Sequence, residues 1–96
     1  MSEAGTDRAV RMVISGRVQG VGFRYFTRHA AERLALVGWV KNLPSGEVEV
    51  RVTGAPPTLD VFRQRLRQGP PGSRVDRLAE SELAAAGDWT RFEITF

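Results

Sequence analysis

Hydrophobic residues fall into two rhythms along this chain. Val10, Met12 and Ile14 alternate with Arg11, Val13 and Ser15, the two-residue period of a strand with one buried face. Gly16 is expected to end that run, and the glycines at 16, 20 and 22 predict a loop. Phe23, Phe26, Ala30, Leu34 and Val37 then recur at steps of three and four, the stripe of an amphipathic helix, with Gly38 expected to close it. Trp39 and Val40 begin a second strand, Pro44-Ser45-Gly46 predicts a turn, and residues 47–53 alternate polar and apolar side chains as a half-buried strand does. Thr58 is expected to cap a second helix, whose stripe is Leu59, Phe62 and Leu66 and which stops at Gly69-Pro70-Pro71. A fourth strand falls near residues 74–81, where Val75 and Leu78 break strict alternation. A fifth, over 91–96, puts Phe92, Ile94 and Phe96 on one face.

The order is strand, helix, strand, strand, helix, strand, strand, with no repeats, linkers or low-complexity segments. A chain of 96 residues fits one domain. Residues 1–8 read as a flexible polar tail and 9–96 as that domain. Strands with one polar face require an antiparallel or mixed sheet covered on a single side by the two helices. The expected fold is therefore α+β, a ferredoxin-like open-faced sandwich of βαββαβ order plus a C-terminal strand. This topology carries a geometric consequence. If strand one runs up to the glycine loop, a helix of about 13 residues descends roughly 20 Å from it, and the next strand climbs back at about 3.3 Å per residue. Residues near 42 then lie level with the loop, so Arg24 and Asn42 converge beside it although they are 18 positions apart.

Composition removes several chemistries. With no cysteine there is no disulfide framework, thiolate metal site or cysteine nucleophile. The single histidine, His29, makes a serine-type triad or a histidine-rich metal site hard to assemble. It also lies about 140° around the helix from Arg24, facing away from the loop. Basic residues outnumber acidic ones by 14 to 11, and all but Lys41 of the 14 are arginine. Arginine grips phosphate or carboxylate with a planar fork, but a genome rich in G and C also favours its codons, and both readings stand. A net charge of +3 is too modest to argue for a polyanionic partner, and Arg63, Arg65 and Arg67 read as a solvated helix face. No apolar run approaches the roughly 20 residues of a membrane span, and residues 1–8 lack the apolar centre of a signal peptide. A soluble, cytoplasmic protein is expected.

The run from Gly16 to Arg24 carries the chemical interest. Glycines let successive N–H groups turn inward as a concave nest, and a helix N-terminus adds unsatisfied donors and the positive end of its dipole. Together they favour an oxyanion, on which Arg24 can place two parallel hydrogen bonds. The run is neither a Walker A sequence nor a complete dinucleotide fingerprint. Read on mechanics alone, these glycines equally make a plain strand-to-helix turn with Arg24 solvated. Asn42 likewise has two readings: a turn residue bonded to its own backbone, or an amide that holds a water in line with a bound phosphorus atom.

Two longer patterns favour the functional readings. Ile14-Ser15-Gly16-Arg17-Val18-Gln19-Gly20-Val21-Gly22-Phe23-Arg24 resembles the first signature of the acylphosphatases. Gly38-Trp39-Val40-Lys41-Asn42, followed by Gly46, Val48 and Gly54, resembles the second. The likeness runs from about residue 9 to the end, and it implies a ferredoxin-like fold and hydrolysis of acyl phosphates to carboxylate and inorganic phosphate without a metal or organic cofactor. Carried over by position, Arg24 corresponds to the phosphate-binding arginine and Asn42 to the asparagine that orients the attacking water. Gln19, Gly20, Val21, Gly22 and Phe23 correspond to the backbone cradle. Leu43 stands where the family often has threonine. The resemblance implies a small-molecule acyl phosphate as substrate, inorganic phosphate as product and inhibitor, and a monomer with no membrane partner. An RNA-binding module of the same strand and helix order needs exposed aromatic side chains on its central strands. The 47–53 strand offers none and carries Glu47 and Glu49, so no nucleic-acid partner is expected. A non-catalytic, anion-binding or partner-dependent module on this fold is the alternative. Acylphosphatase-like domains also occur inside carbamoyl-transfer proteins, and the lack of zinc-finger cysteines favours a free-standing enzyme.

Overall fold

Seven elements form in the expected order in the computed structural model, which describes residues 7–85 and 87–96. They are β1 (Arg8–Arg17), α1 (Phe23–Arg33), β2 (Val37–Asn42), β3 (Val48–Gly54), α2 (Pro56–Gln68), β4 (Arg74–Glu82) and β5 (Phe92–Ile94). The strands make one sheet of order β4-β1-β3-β2-β5. All neighbours are antiparallel except β2 and β5, which run parallel. In the centre Met12 stands opposite Val50 and Ile14 opposite Val48, and these four side chains are fully buried. They join Phe23, Ala30 and Ala31 of α1 and Leu59, Phe62 and Leu66 of α2 in a single core cluster. Phe62 and Phe92 meet edge to face at 6.2 Å, tying the second helix to the last strand. The fold is the mixed, open-faced sandwich that the hydrophobic rhythm implied.

Local details differ from the sequence reading in ways that have physical causes. β1 does not end at Gly16: a bulge between Ser15 and Gly16 shifts its register, and the strand resumes with Gly16 opposite Val75 and Arg17 opposite Arg74. It also begins at Arg8, paired with Gly54, within the segment expected as a tail; residues 1–6 lie outside the described residues. α1 stops at Arg33, because the N–H groups of Leu34 and Leu36 both turn back to the Ala31 carbonyl while Ala35 adopts a left-handed φ of 56°. Gly38 therefore does not close the helix. It lies inside β2, at φ +147°, where a Cβ would stand 1.9 Å from the Arg51 carbonyl oxygen, so glycine is required there by the close approach of β3. Thr58 does not cap α2. Ala55 does, in extended conformation, and Pro56 and Pro57 lack the N–H groups that a first turn leaves without partners. Phe96 lies beyond β5 and is 91% exposed rather than sharing the buried face of Phe92.

The polar side of β3 also departs from a plain solvated face. Glu49 is only 5% exposed, accepting a 2.7 Å hydrogen bond from Arg11 of β1 and a 3.2 Å bond from Arg51. Burial pushes its carboxyl up, but hydrogen bonds from both arginines outweigh burial and hold it below the usual carboxylate range.

Candidate active site

The loop between β1 and α1 is built to present backbone donors. Val18 is buried in the core and anchors its start. Gly20 and Gly22 then take left-handed φ values of 76° and 78°, with open space where each Cβ would be, so the conformation rather than crowding requires glycine. Left-handed residues on either side of Val21 turn successive N–H groups toward one side. Gly22 is also the N-cap of α1, and no side chain caps the helix and no carboxylate lies in its first turn. Among the described residues, the first N–H after the loop with a backbone acceptor is that of Phe26, on the Gly22 carbonyl at 3.0 Å. The donors ahead of it, and the positive end of the helix dipole, are left for an anion.

Asn42 arrives at the same place from the other direction. It is the last residue of β2, and alternation with the buried Gly38 and Val40 puts its side chain on the helix-covered face of the sheet. Its Oδ1 is buried and has no hydrogen-bond partner among the described residues. A hollow of about 120 Å³ brings together Gln19, Gly20, Gly22, Phe23, Arg24 and Asn42. The convergence expected from strand and helix rise is thus met. Of the cradle residues named from the sequence, Val21 alone does not line the hollow; its side chain packs against the core, which leaves it a backbone role.

Gln19 contributes through its side chain, a role that the sequence did not suggest. Its Nε2 donates to the carbonyls of Leu43 and Glu47, both at 2.9 Å. Those carbonyls belong to the tight β2–β3 turn, where Leu43 N–H donates to Glu47 O at 2.8 Å and Gly46 N–H to Leu43 O at 3.0 Å. The amide therefore straps the glycine loop to the hairpin that carries Asn42. Leu43, the position at which the chain departs from the family pattern, serves this turn through its backbone.

Arg24 sits in the first turn of α1, half-buried, and its guanidinium lies over the Phe96 ring at 4.7 Å from the centroid. No carboxylate among the described residues pairs with it, so its charge is available to a ligand. Tyr25 also lines the hollow. Its place off the apolar stripe, next to Arg24 at the helix start, is the one sequence signal that pointed there. His29 lines a separate depression between the two helices, with Arg33 and Arg65, away from the cradle as expected.

Comparison with known proteins gives this geometry its context. The family model for acylphosphatases matches residues 10–94. The acylphosphatase of Vibrio vulnificus (strain CMCP6) is 46% identical over 87 residues, covering 91% of this chain and 96% of that one. The crystal structure of acylphosphatase from Bacillus subtilis superposes with a TM-score of 0.89 at 38% identity, covering 92% of this chain and 98% of that one. T. kodakarensis HypF is similar as well, with a TM-score of 0.82 at 32% identity, but the likeness spans 93% of this chain and only 12% of that protein. With a family match that extends from the third residue of β1 to the end of β5, and relatives of nearly the same length, this chain belongs to the acylphosphatase family.

Proposed function

We propose that the chain hydrolyses the carboxyl–phosphate anhydride of acyl phosphates in the hollow at the start of α1. The N–H groups of Gln19, Gly20, Val21, Gly22 and Phe23 and the Arg24 guanidinium hold the phosphoryl oxygens, and Asn42 orients the attacking water. The water oxygen attacks phosphorus, the bond from phosphorus to the acyl oxygen breaks, and the carboxylate leaves with the electron pair. The water's proton passes to a non-bridging phosphate oxygen, so the products are a carboxylate and inorganic phosphate. A carboxylate, with an ordinary pKa of about 4, leaves without a general acid. The protein's task is then position and charge stabilisation, which donors fixed in advance perform well.

The observation that carries this reading is the meeting of the glycine cradle, Arg24 and the Asn42 amide at one hollow. Donors alone would serve any anion. An amide among them, which can accept as well as donate, suits a water molecule whose oxygen must face the bound phosphorus. The same proposal keeps the expected cytoplasmic monomer, acting on a small molecule and not on nucleic acid or a membrane; no helix among the described residues is long and apolar enough to cross one.

The test is hydrolysis of benzoyl phosphate in excess EDTA, followed by ultraviolet absorbance, for wild type and Arg24→Ala after circular dichroism has established that both are folded. Turnover by wild type alone supports the reading. Phosphate binding without turnover by folded wild type would favour instead the anion-binding or partner-dependent module, for which the likeness to a short part of T. kodakarensis HypF is the specific support.

A further inference from the structure

We propose that the groove between Tyr25 and Phe96 receives the acyl half of the substrate and favours acyl groups with a flat, uncharged, apolar face. The inference rests on the acyl phosphate reading above and names the part of the molecule that reading leaves unassigned.

Three large hydrophobic side chains are exposed among the described residues, and two of them are close to the phosphate hollow: Tyr25, 60% exposed, lines it, and Phe96, 91% exposed, lies under the Arg24 guanidinium. Apolar rings held in water at a site mouth are what a ligand would cover. Each ring already carries a guanidinium, Arg24 at 4.7 Å over Phe96 and Arg28 at 5.7 Å over Tyr25. Each ring thus keeps a planar face or edge beside a cation and available to a planar group.

Between them runs a groove of about 540 Å³ floored by Phe92 and Ile94, within the usual size of a small-molecule site. Two residues join it to the cradle. Tyr25 lines both spaces, and Arg24, which lines the cradle, rests on Phe96, which lines the groove. A phosphoryl group seated against the N–H donors therefore directs its carbonyl carbon outward past Tyr25.

Charge selects the acyl class. The groove contains Arg28 and Arg91 against Glu32 and Glu93, and Arg91 is already bonded to Glu93 at 2.7 Å. The formal charges balance, so the groove as a whole does not favour a second anionic group, while the two rings supply apolar surface.

The experiment measures kcat/KM for benzoyl and acetyl phosphate in wild type, Tyr25→Ala, Tyr25→Phe and Phe96→Ala. Comparing each variant's ratio with that of wild type cancels the intrinsic reactivity of the two substrates. Loss of either ring is expected to lower the benzoyl-to-acetyl ratio about three- to tenfold, the usual worth of one aromatic contact. The change should fall mainly in KM, with Tyr25→Phe retaining the wild-type ratio. A ratio unchanged in both alanine variants overturns the proposal while acetyl phosphate turnover leaves the hydrolytic reading standing. Equal losses on both substrates also overturn it, since the rings would then act only on Arg24. Failure of folded wild type to hydrolyse either substrate overturns this proposal and the hydrolytic reading together.

Discussion

Gln19 and Leu43, 24 positions apart, are joined by a 2.9 Å hydrogen bond from the Gln19 side chain to the Leu43 carbonyl, and this contact ties the glycine loop to the turn that follows Asn42. In the proposed mechanism the glycine loop holds the phosphorus and the end of β2 holds the water-orienting amide. An in-line attack tolerates little error in their separation, since a displacement of about 1 Å can cost on the order of 100-fold in rate. Gln19→Ala removes a donor shared by two carbonyls and is expected to destabilise the fold by about 1–3 kcal/mol. It should also lower kcat by at least about tenfold while leaving inhibition by inorganic phosphate within a few-fold of wild type. Urea titration and steady-state kinetics with phosphate as inhibitor check the two parts; phosphate affinity lost as steeply as kcat would mean that the strap holds the cradle itself.

Arg24 is expected to be needed for its shape as well as its charge. It is half-buried, bonded to no carboxylate among the described residues and stacked on Phe96, an arrangement that suits a planar guanidinium and not a compact ammonium. Arg24→Ala should lose about 100- to 1000-fold in kcat with little change in thermal midpoint. Arg24→Lys should recover only a small part of that loss. Near-normal turnover or phosphate inhibition in the lysine variant would rule out two-point contact with the phosphoryl group.

Asn42 should reverse the usual relation between activity and stability. A buried oxygen with no partner among the described residues costs the folded protein about 1–3 kcal/mol when nothing else solvates it. Asn42→Ala removes that acceptor along with the proposed means of orienting water. The variant is expected to be as stable as wild type or up to about 1 kcal/mol more stable, and to lose kcat much more than it loses affinity for inorganic phosphate. Denaturation midpoints and product-inhibition constants decide the matter, and a clearly destabilised variant would make Asn42 a structural residue.

The meeting of Arg24 and Asn42 was legible because it needed only the rise per residue of a helix and a strand and the order of three elements. The end of α1 was not. Leu34 and Val37 continue the helical spacing, and the chain is turned instead by Ala35 in a left-handed conformation, which a non-glycine residue does not advertise. Gly38 was legible as special but not for what: its reason is the Arg51 carbonyl on the facing strand, a neighbour known only once the β2–β3 register exists. Thr58 has the chemistry of a cap, yet two prolines just ahead of it had already removed donors from the first turn. The Gln19 side chain escaped notice for the same reason as Gly38, because its acceptors lie 24 and 28 positions away. Local periodicity reached the elements and the cradle, and only tertiary register reached the contacts that align them.

Glu49 supplies the pH dependence expected of the fold. Alternation alone would set it on a solvated sheet face, but Arg11, 38 positions earlier, and Arg51 bond to it while it is 5% exposed. Burial pushes its carboxyl up and the two arginine hydrogen bonds more than reverse this, so its folded pKa lies below the ordinary 4.5. A group depressed in the folded state contributes its full stability above its unfolded pKa and loses it as pH falls through the folded value. The contribution of Glu49 should therefore be constant above about pH 5 and decline below the ordinary carboxylate range. Both arginines are more than a third exposed, which keeps the ion pairs modest. Glu49→Gln, which leaves two apposed guanidiniums with one weak acceptor, is expected to cost about 1–3 kcal/mol at pH 7. Its urea midpoint should also fall less steeply than that of wild type between pH 5 and pH 3. Parallel acid limbs in the two proteins would show that other carboxylates govern the acid loss. Since Glu49 lies on the sheet face away from the cradle, kcat measured at pH 7 should stay close to wild type, separating this stabilising cluster from the catalytic one.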